Sequence, residues 1–171
     1  YLVPQMPKCS GCHAAEQLGK VAQHKDHAGK VQCQVCHSQD YVNCYSCHTA
    51  KDDNKVAYFV NQLEVESFKI GLNYPGTGLT EKYIVVRHEP SDPEVFDFYG
   101  KGAFKTFDNV PTWKRASPHN IQRRTWRSAA CNHCHGQRGL FLAESDLLDY
   151  EKAANKAVVV PDDKVPAKRA E

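Results

Sequence analysis

The chain holds eight cysteines, and all of them belong to one five-residue pattern. Cys9-Ser-Gly-Cys12-His13, Cys33-Gln-Val-Cys36-His37, Cys44-Tyr-Ser-Cys47-His48 and Cys131-Asn-His-Cys134-His135 all read C-x-x-C-H. Two thiols three positions apart fall on one face of a helical turn. They can then add across the two vinyl groups on one edge of a porphyrin, and the pattern is the attachment signature of c-type haem. The histidine that follows sits beneath the ring and binds iron from the proximal side. The expected thioether residues are therefore Cys9, Cys12, Cys33, Cys36, Cys44, Cys47, Cys131 and Cys134, with His13, His37, His48 and His135 as proximal ligands of four covalent haems c.

Paired C-x-x-C motifs also occur in zinc ribbons, and cysteines in even number can form disulfides. The histidines decide against both readings. His makes up 9 of 171 residues, so its chance placement after all four pairs has odds of about one in 10⁵. Neither a ribbon nor a disulfide framework requires it there.

The second axial ligands must come from the rest of the chain. Five histidines lie outside the proximal positions, His24, His27, His88, His119 and His133, and the single methionine is Met6. Four irons with one methionine cannot all be His/Met, so the arithmetic favours bis-histidine coordination, which lowers reduction potentials relative to methionine ligation. His88 closes an apolar strand on the face of Ile84 and Val86, and the demand for ligands marks it as a distal candidate. His119, upstream of Cys131, is a second. His133 lies inside the fourth motif, tied to the ring edge and poorly placed to reach its own iron; it suits a surface role, or a haem of another subunit.

His24 and His27 form H-x-x-H shortly before Cys33. This resembles the class III multihaem cytochromes of the cytochrome c3 type, in which such a pair supplies distal ligands to two different haems. The resemblance covers about residues 24–37. It implies that His24 binds the haem of His37 and that His27 binds a neighbouring one. Small multihaem subunits of this general kind also build extracellular cytochrome filaments, some of which ligate one iron with a histidine of the next subunit.

Other elements must hold these groups. Only 41 % of residues are hydrophobic and mean hydropathy is −0.61, so four porphyrins are expected to supply apolar volume to the N-terminal part. The expected fold is a mainly irregular and α multihaem cytochrome packed around its haems, with a small β-hairpin insertion over about 62–88. Residues 1–50 form a segment for haems I–III, 51–130 an aromatic and β insertion that supplies distal ligands, and 131–171 the haem IV segment with a C-terminal helix and tail, all in one integrated domain. Leu63, Val65, Phe68, Ile70 and Leu72 alternate with polar residues, with a phase break at Ser67 that reads as a bulge. Tyr83–His88 reads as the second strand, and Asn73-Tyr-Pro-Gly-Thr-Gly78 as the turn region between them. A helix is expected from Ser145 to about Ala157, and a frayed tail from Pro161. Trp113, Trp126 and the aromatics of 96–107 are expected to pack on haem.

The formal charge of +2 omits the haem propionates, so the pI near 8.1 is no nucleic-acid signal. The basic run Lys101, Lys105, Lys114, Arg115, Arg123, Arg124 and Arg127 suits a docking face or propionate pairing, the latter especially for Arg123 and Arg124. No stretch reaches the roughly 18 apolar residues of a membrane span. Covalent haem attachment takes place outside the cytoplasm, so an exported protein, periplasmic or extracellular, with its leader removed is expected.

A globule of this length has a diameter near 40 Å and would place four haems about 20 Å apart between centres. That is close enough for tunnelling between ring edges. The expected function is electron transfer along a haem chain, with redox proteins or copies of the same chain as partners, possible polymerisation into a filament, and no catalytic residue. The competing expectation is a multihaem reductase of a small oxyanion, or an electron-transfer subunit of one. It requires an iron with an open position.

Overall fold

The computed structural model describes residues 7–51, 54, 56–90, 92–94 and 97–170, and for 43–51, 57–66 and 98 it describes the backbone alone. Met6 lies outside the described residues, as do the side chains of Cys44, Cys47 and His48. The elements are short helices and antiparallel strands. In chain order they are α1 (Ala15–Leu18), α2 (Ala22–His27), α3 (Cys33–His37), β1 (Tyr41–Lys51), β2 (Ala57–Glu66), β3 (Lys69–Leu72), β4 (Tyr83–His88), β5 (Trp113–Arg115), α4 (Trp126–Ala129) and α5 (Lys152–Asn155), with 3-10 turns between several of them.

The alternation over 63–72 belongs to two strands rather than one bulged strand. β2 ends at Glu66 and pairs with β1, while β3 begins at Lys69 and pairs with β4. The phase break at Ser67 is where the chain changes partner. β4 is the centre of a three-stranded sheet in the order β3–β4–β5, which explains why Ile84, Val85 and Val86 are all fully buried: a central strand covered on both faces needs no polar side. Gly76 and Gly78, in the turn region before β4, have positive φ.

The core gathers around this sheet. Val35, Phe68, Ile70, Val85, Ala116, Phe141 and Val160 form one cluster. Ile84, Val86, Trp113, Leu142, Leu147 and Val158 form the other. The backbones of 142, 158 and 160 extend the sheet: Leu142 N–H donates to Ile70 O, Leu72 N–H to Val158 O, and Val160 N–H to Leu142 O, at 2.8–2.9 Å. Gly71 permits this close packing, because a Cβ there would lie 2.9 Å from methyls of both Val86 and Val158.

Where one helix was expected from Ser145, the chain forms two 3-10 turns and then α5. The segment after Pro161 is anchored rather than frayed. Tyr83 Oη donates to Lys164 O at 2.7 Å, and Gly136 N–H to Pro166 O at 2.8 Å. Of the aromatics in the 96–107 stretch, Tyr99 is 83 % exposed, Phe104 and Phe107 are half-buried, and Phe107 packs edge-on against Tyr150; Phe96 and the side chain of Phe98 lie outside the described residues. Trp113 is buried, whereas Trp126 is half exposed.

The N-terminal part differs from the rest. No residue from 7 to 31 is buried, and α1 and α2 bury no side chain. Among the described residues no helix is long and apolar enough to cross a membrane.

Candidate functional site

Three of the four C-x-x-C-H motifs wind into a single helical turn. Motif II is α3 itself, and motifs I and IV open in 3-10 turns. In motifs I and IV the histidine amide closes back onto the first cysteine, His13 N–H to Cys9 O and His135 N–H to Cys131 O, both at 2.9 Å. A turn of this kind puts the two thiols on one side, with Cβ atoms about 5–6 Å apart. The third motif departs from that expectation. Its backbone is the extended strand β1, with Cys44 opposite Glu64, Cys47 opposite Asn61 and His48 opposite Val60. Three residues of strand span about 10 Å, against about 4.5 Å of helix, so thioether bonds to one porphyrin edge require this segment to leave the ladder. Strand-forming Tyr, Val, Phe and Thr residues on both sides of the pair favour the ladder.

The described cysteines are all free thiols. Burial pushes the Cys33 thiol up to about 11, with help from neighbouring Cys9. It likewise pushes Cys134 up to about 11, reinforced by Cys36 and opposed by Arg127. Burial also raises Cys36, again against Arg127. Cys36 and Cys134 therefore share one environment, and motifs II and IV are neighbours. Among the described residues no three His, Cys, Asp or Glu side chains converge as a zinc site would require.

Two pairs of imidazoles face one another across a gap. His24 and His37 have ring centres 6.0 Å apart, and His27 and His135 also stand at 6.0 Å. Two imidazoles bound to one metal at about 2 Å, with ring centres about 1.2 Å behind the ligating nitrogen, stand about 6.4 Å apart. The observed spacing fits an iron between each pair. The tautomer fits as well. Nδ1 of His24 faces Leu18 O at 3.3 Å, that of His27 faces Gln23 O at 2.6 Å, that of His37 faces Gln122 O at 3.0 Å and that of His135 faces Ala167 O at 3.1 Å. A carbonyl only accepts, so the proton sits on Nδ1 and Nε2 keeps its lone pair for a metal. No protein-family model, curated protein or solved structure matches the chain.

Supporting segments explain how the pairs are held. Gln32 precedes α3, is buried, and accepts from Val85 N–H at 2.8 Å, fixing motif II to β4. Thr125 caps α4 and also donates to Cys36 O, joining the turn before motif IV to motif II. The C-terminal segment straps motif IV: Asn132 and Arg169 exchange two hydrogen bonds, and Arg169 pairs with Asp26, next to His27, at 3.1 Å. A cleft of about 640 Å³ opens between Ala130, Cys131, Asn132, Arg169 and Ala170.

The other candidates are placed differently. His88, expected among the distal ligands, has its Nε2 2.6 Å from Oε1 of the fully buried Glu151, and its ring stacks on Trp113 at 4.9 Å. The carboxylate occupies the nitrogen that a metal would need. His119 is exposed beside Tyr41, and both line a cleft of about 240 Å³ with Arg87 and Arg115. Nδ1 of His133 faces Trp126 O. Among the described residues no second imidazole faces His13. Arg123 and Arg124 are exposed, Lys114 pairs with Glu89 at 2.8 Å, and Arg127 is buried. The carbonyls of Gln122 and Ala167 and the partner Glu151 are absent from any motif. A backbone carbonyl has no side-chain signature, so no sequence signal points to the first two.

Proposed function

We propose that the chain is an exported four-haem c-type cytochrome that carries electrons along closely spaced bis-histidine centres. The observation that carries this reading is the confinement of all eight cysteines to four C-x-x-C-H motifs. Support comes from the imidazole pairs His24–His37 and His27–His135 and from the carbonyls that hold each Nδ1. The haems, when bound, supply the one-electron ferric/ferrous chemistry. The protein orients the ligating nitrogens, closes both axial positions at two centres, and packs motifs II and IV together.

The order of the chain of centres follows from α2. His24 and His27 are three residues apart, hence neighbours on one helix face, yet they face motifs II and IV. The second and fourth sites are adjacent in space although they are distant in sequence. Partners on this reading are redox proteins or further copies of the chain, and the location is periplasmic or extracellular.

The test is an intact mass and a pyridine haemochrome assay on protein made in a host that matures c-type cytochromes. Four haems per chain are expected, with none of the eight cysteines open to alkylation in denaturant. Eight alkylatable thiols and no Soret band would end the proposal. Cyanide binding to one haem in four would point instead to an open iron and the reductase reading.

A further inference from the structure

Arg127 is charged, 7 % exposed, and enters no ion pair among the described residues. Its Nη atoms donate over long distances, 3.4 Å to Val35 O and 3.3 Å to Phe68 O. Its Nε–H has no partner. Guanidinium does not shed its proton in proteins, so the charge stays. A buried cation without a counter-ion is costly, and its place in the fold indicates what it acts on.

That place lies between two of the haem motifs. Arg127 belongs to α4, which leads directly into motif IV, and its guanidinium reaches the carbonyl of Val35, inside motif II. Cys36 and Cys134 pack against one core cluster that includes Val35. Resting on the haem reading above, we propose that Arg127 sets the potentials of the second and fourth centres: one fixed positive charge, shared by both, that favours their reduced states. Reduction of either centre adds one electron, from a reduced redox protein or from dithionite in the test, takes ferric iron to ferrous, and makes or breaks no bond. The local charge falls by one, and a neighbouring cation in a poorly solvated interior stabilises that change. Electrons on the chain then settle on this pair.

The test is a spectroelectrochemical titration of the mature protein with haems assigned by paramagnetic NMR. In the wild type the haems of His37 and His135 should have the two highest potentials. Arg127→Gln should lower these two, with about a tenfold fall in the reduction equilibrium constant, or about 59 mV for a one-electron couple, while the other two stay in place. Arg127→Lys should keep the wild-type pattern. If Arg127→Gln does not fold, the wild-type assignment decides alone. Potentials of the His37 and His135 haems below the others, or a variant that moves all four equally, overturns the role of Arg127. A wild type without four haems would instead sink the reading on which it rests.

Discussion

At the scale of single residues, the five non-proximal histidines separate by what their nitrogens meet. His24 and His27 have Nδ1 on a carbonyl and a second imidazole 6.0 Å away, whereas His88 meets a carboxylate. Their substitutions should therefore differ in kind. On the proposed four-haem reading, His27→Ala should convert one haem in four, that of His135, from low to high spin in the absorption and EPR spectra. His88→Ala should leave every spin state unchanged and instead destabilise the fold by about 1–3 kcal/mol, because a buried acceptor loses its partner; denaturant unfolding measures it. Low-spin His27→Ala protein, or a high-spin signal in His88→Ala, would reverse these assignments. Glu89 gives a pH-dependent case. Burial pushes its carboxyl up, but Lys114 and Arg87 together outweigh this and hold it below its ordinary 4.5. A folded-state pKa lower than the unfolded one contributes stability that is complete above about pH 4.5 and lost as pH falls through the folded value. Glu89→Gln should cost about 1 kcal/mol or less at pH 7, since the pair is partly exposed. The difference from wild type should vanish on acidification.

At the scale of elements, the strap over 164–170 explains how motif IV is held. Ala167 O orients His135, Gly136 at φ +74° brings its backbone against Lys168, and Arg169 ties Asn132 to Asp26 on α2. Ending the chain after Lys164 should thus loosen the His27–His135 centre alone, read as a high-spin fraction of one haem in four with motif II intact. A truncated protein with four low-spin haems would assign the strap no positioning role. The strap was illegible in the sequence because its main contact is a backbone carbonyl, which any residue provides, and because Lys, Arg and Pro read as solvated tail. The β3–β4 pairing was legible, since Tyr83–His88 is apolar and β-branched and the turn carries Pro and Gly. β1 was not: the same residues carry a haem motif that asks for a turn and a Tyr/Val/Thr pattern that asks for a strand, and periodicity cannot rank the two. The H-x-x-H spacing puts His24 and His27 on one helix face but does not tell that His27 stands beside His135 of motif IV. That depends on how 125–135 folds back onto α3 through Thr125 and Arg127.

At the scale of the whole molecule, the chain has two unlike parts. The sheet with segments 141–142 and 158–160 has an apolar core rich in Ile, Val, Leu, Phe and Trp. Residues 7–31 bury nothing, although they hold α1, α2 and one haem motif. Helices of four to six residues are far below the roughly 12 residues at which an isolated helix becomes even marginal in water. They need a surface to pack on, and the half-buried His24 and His27 show on which side it lies. If the porphyrins are that surface, the two parts respond differently to their removal. In protein with all eight cysteines changed to serine, trypsin should cut first at Lys20, Lys25 and Lys30, while fragments spanning 68–160 survive on their own core. In the haem-loaded protein the same three sites should be protected by at least an order of magnitude in cleavage rate, as coupling of cofactor binding to folding requires. Peptide mapping by mass spectrometry at matched times measures both. Equal protection of 7–31 in the two proteins would mean that this segment folds without porphyrin, and that the missing core lies elsewhere.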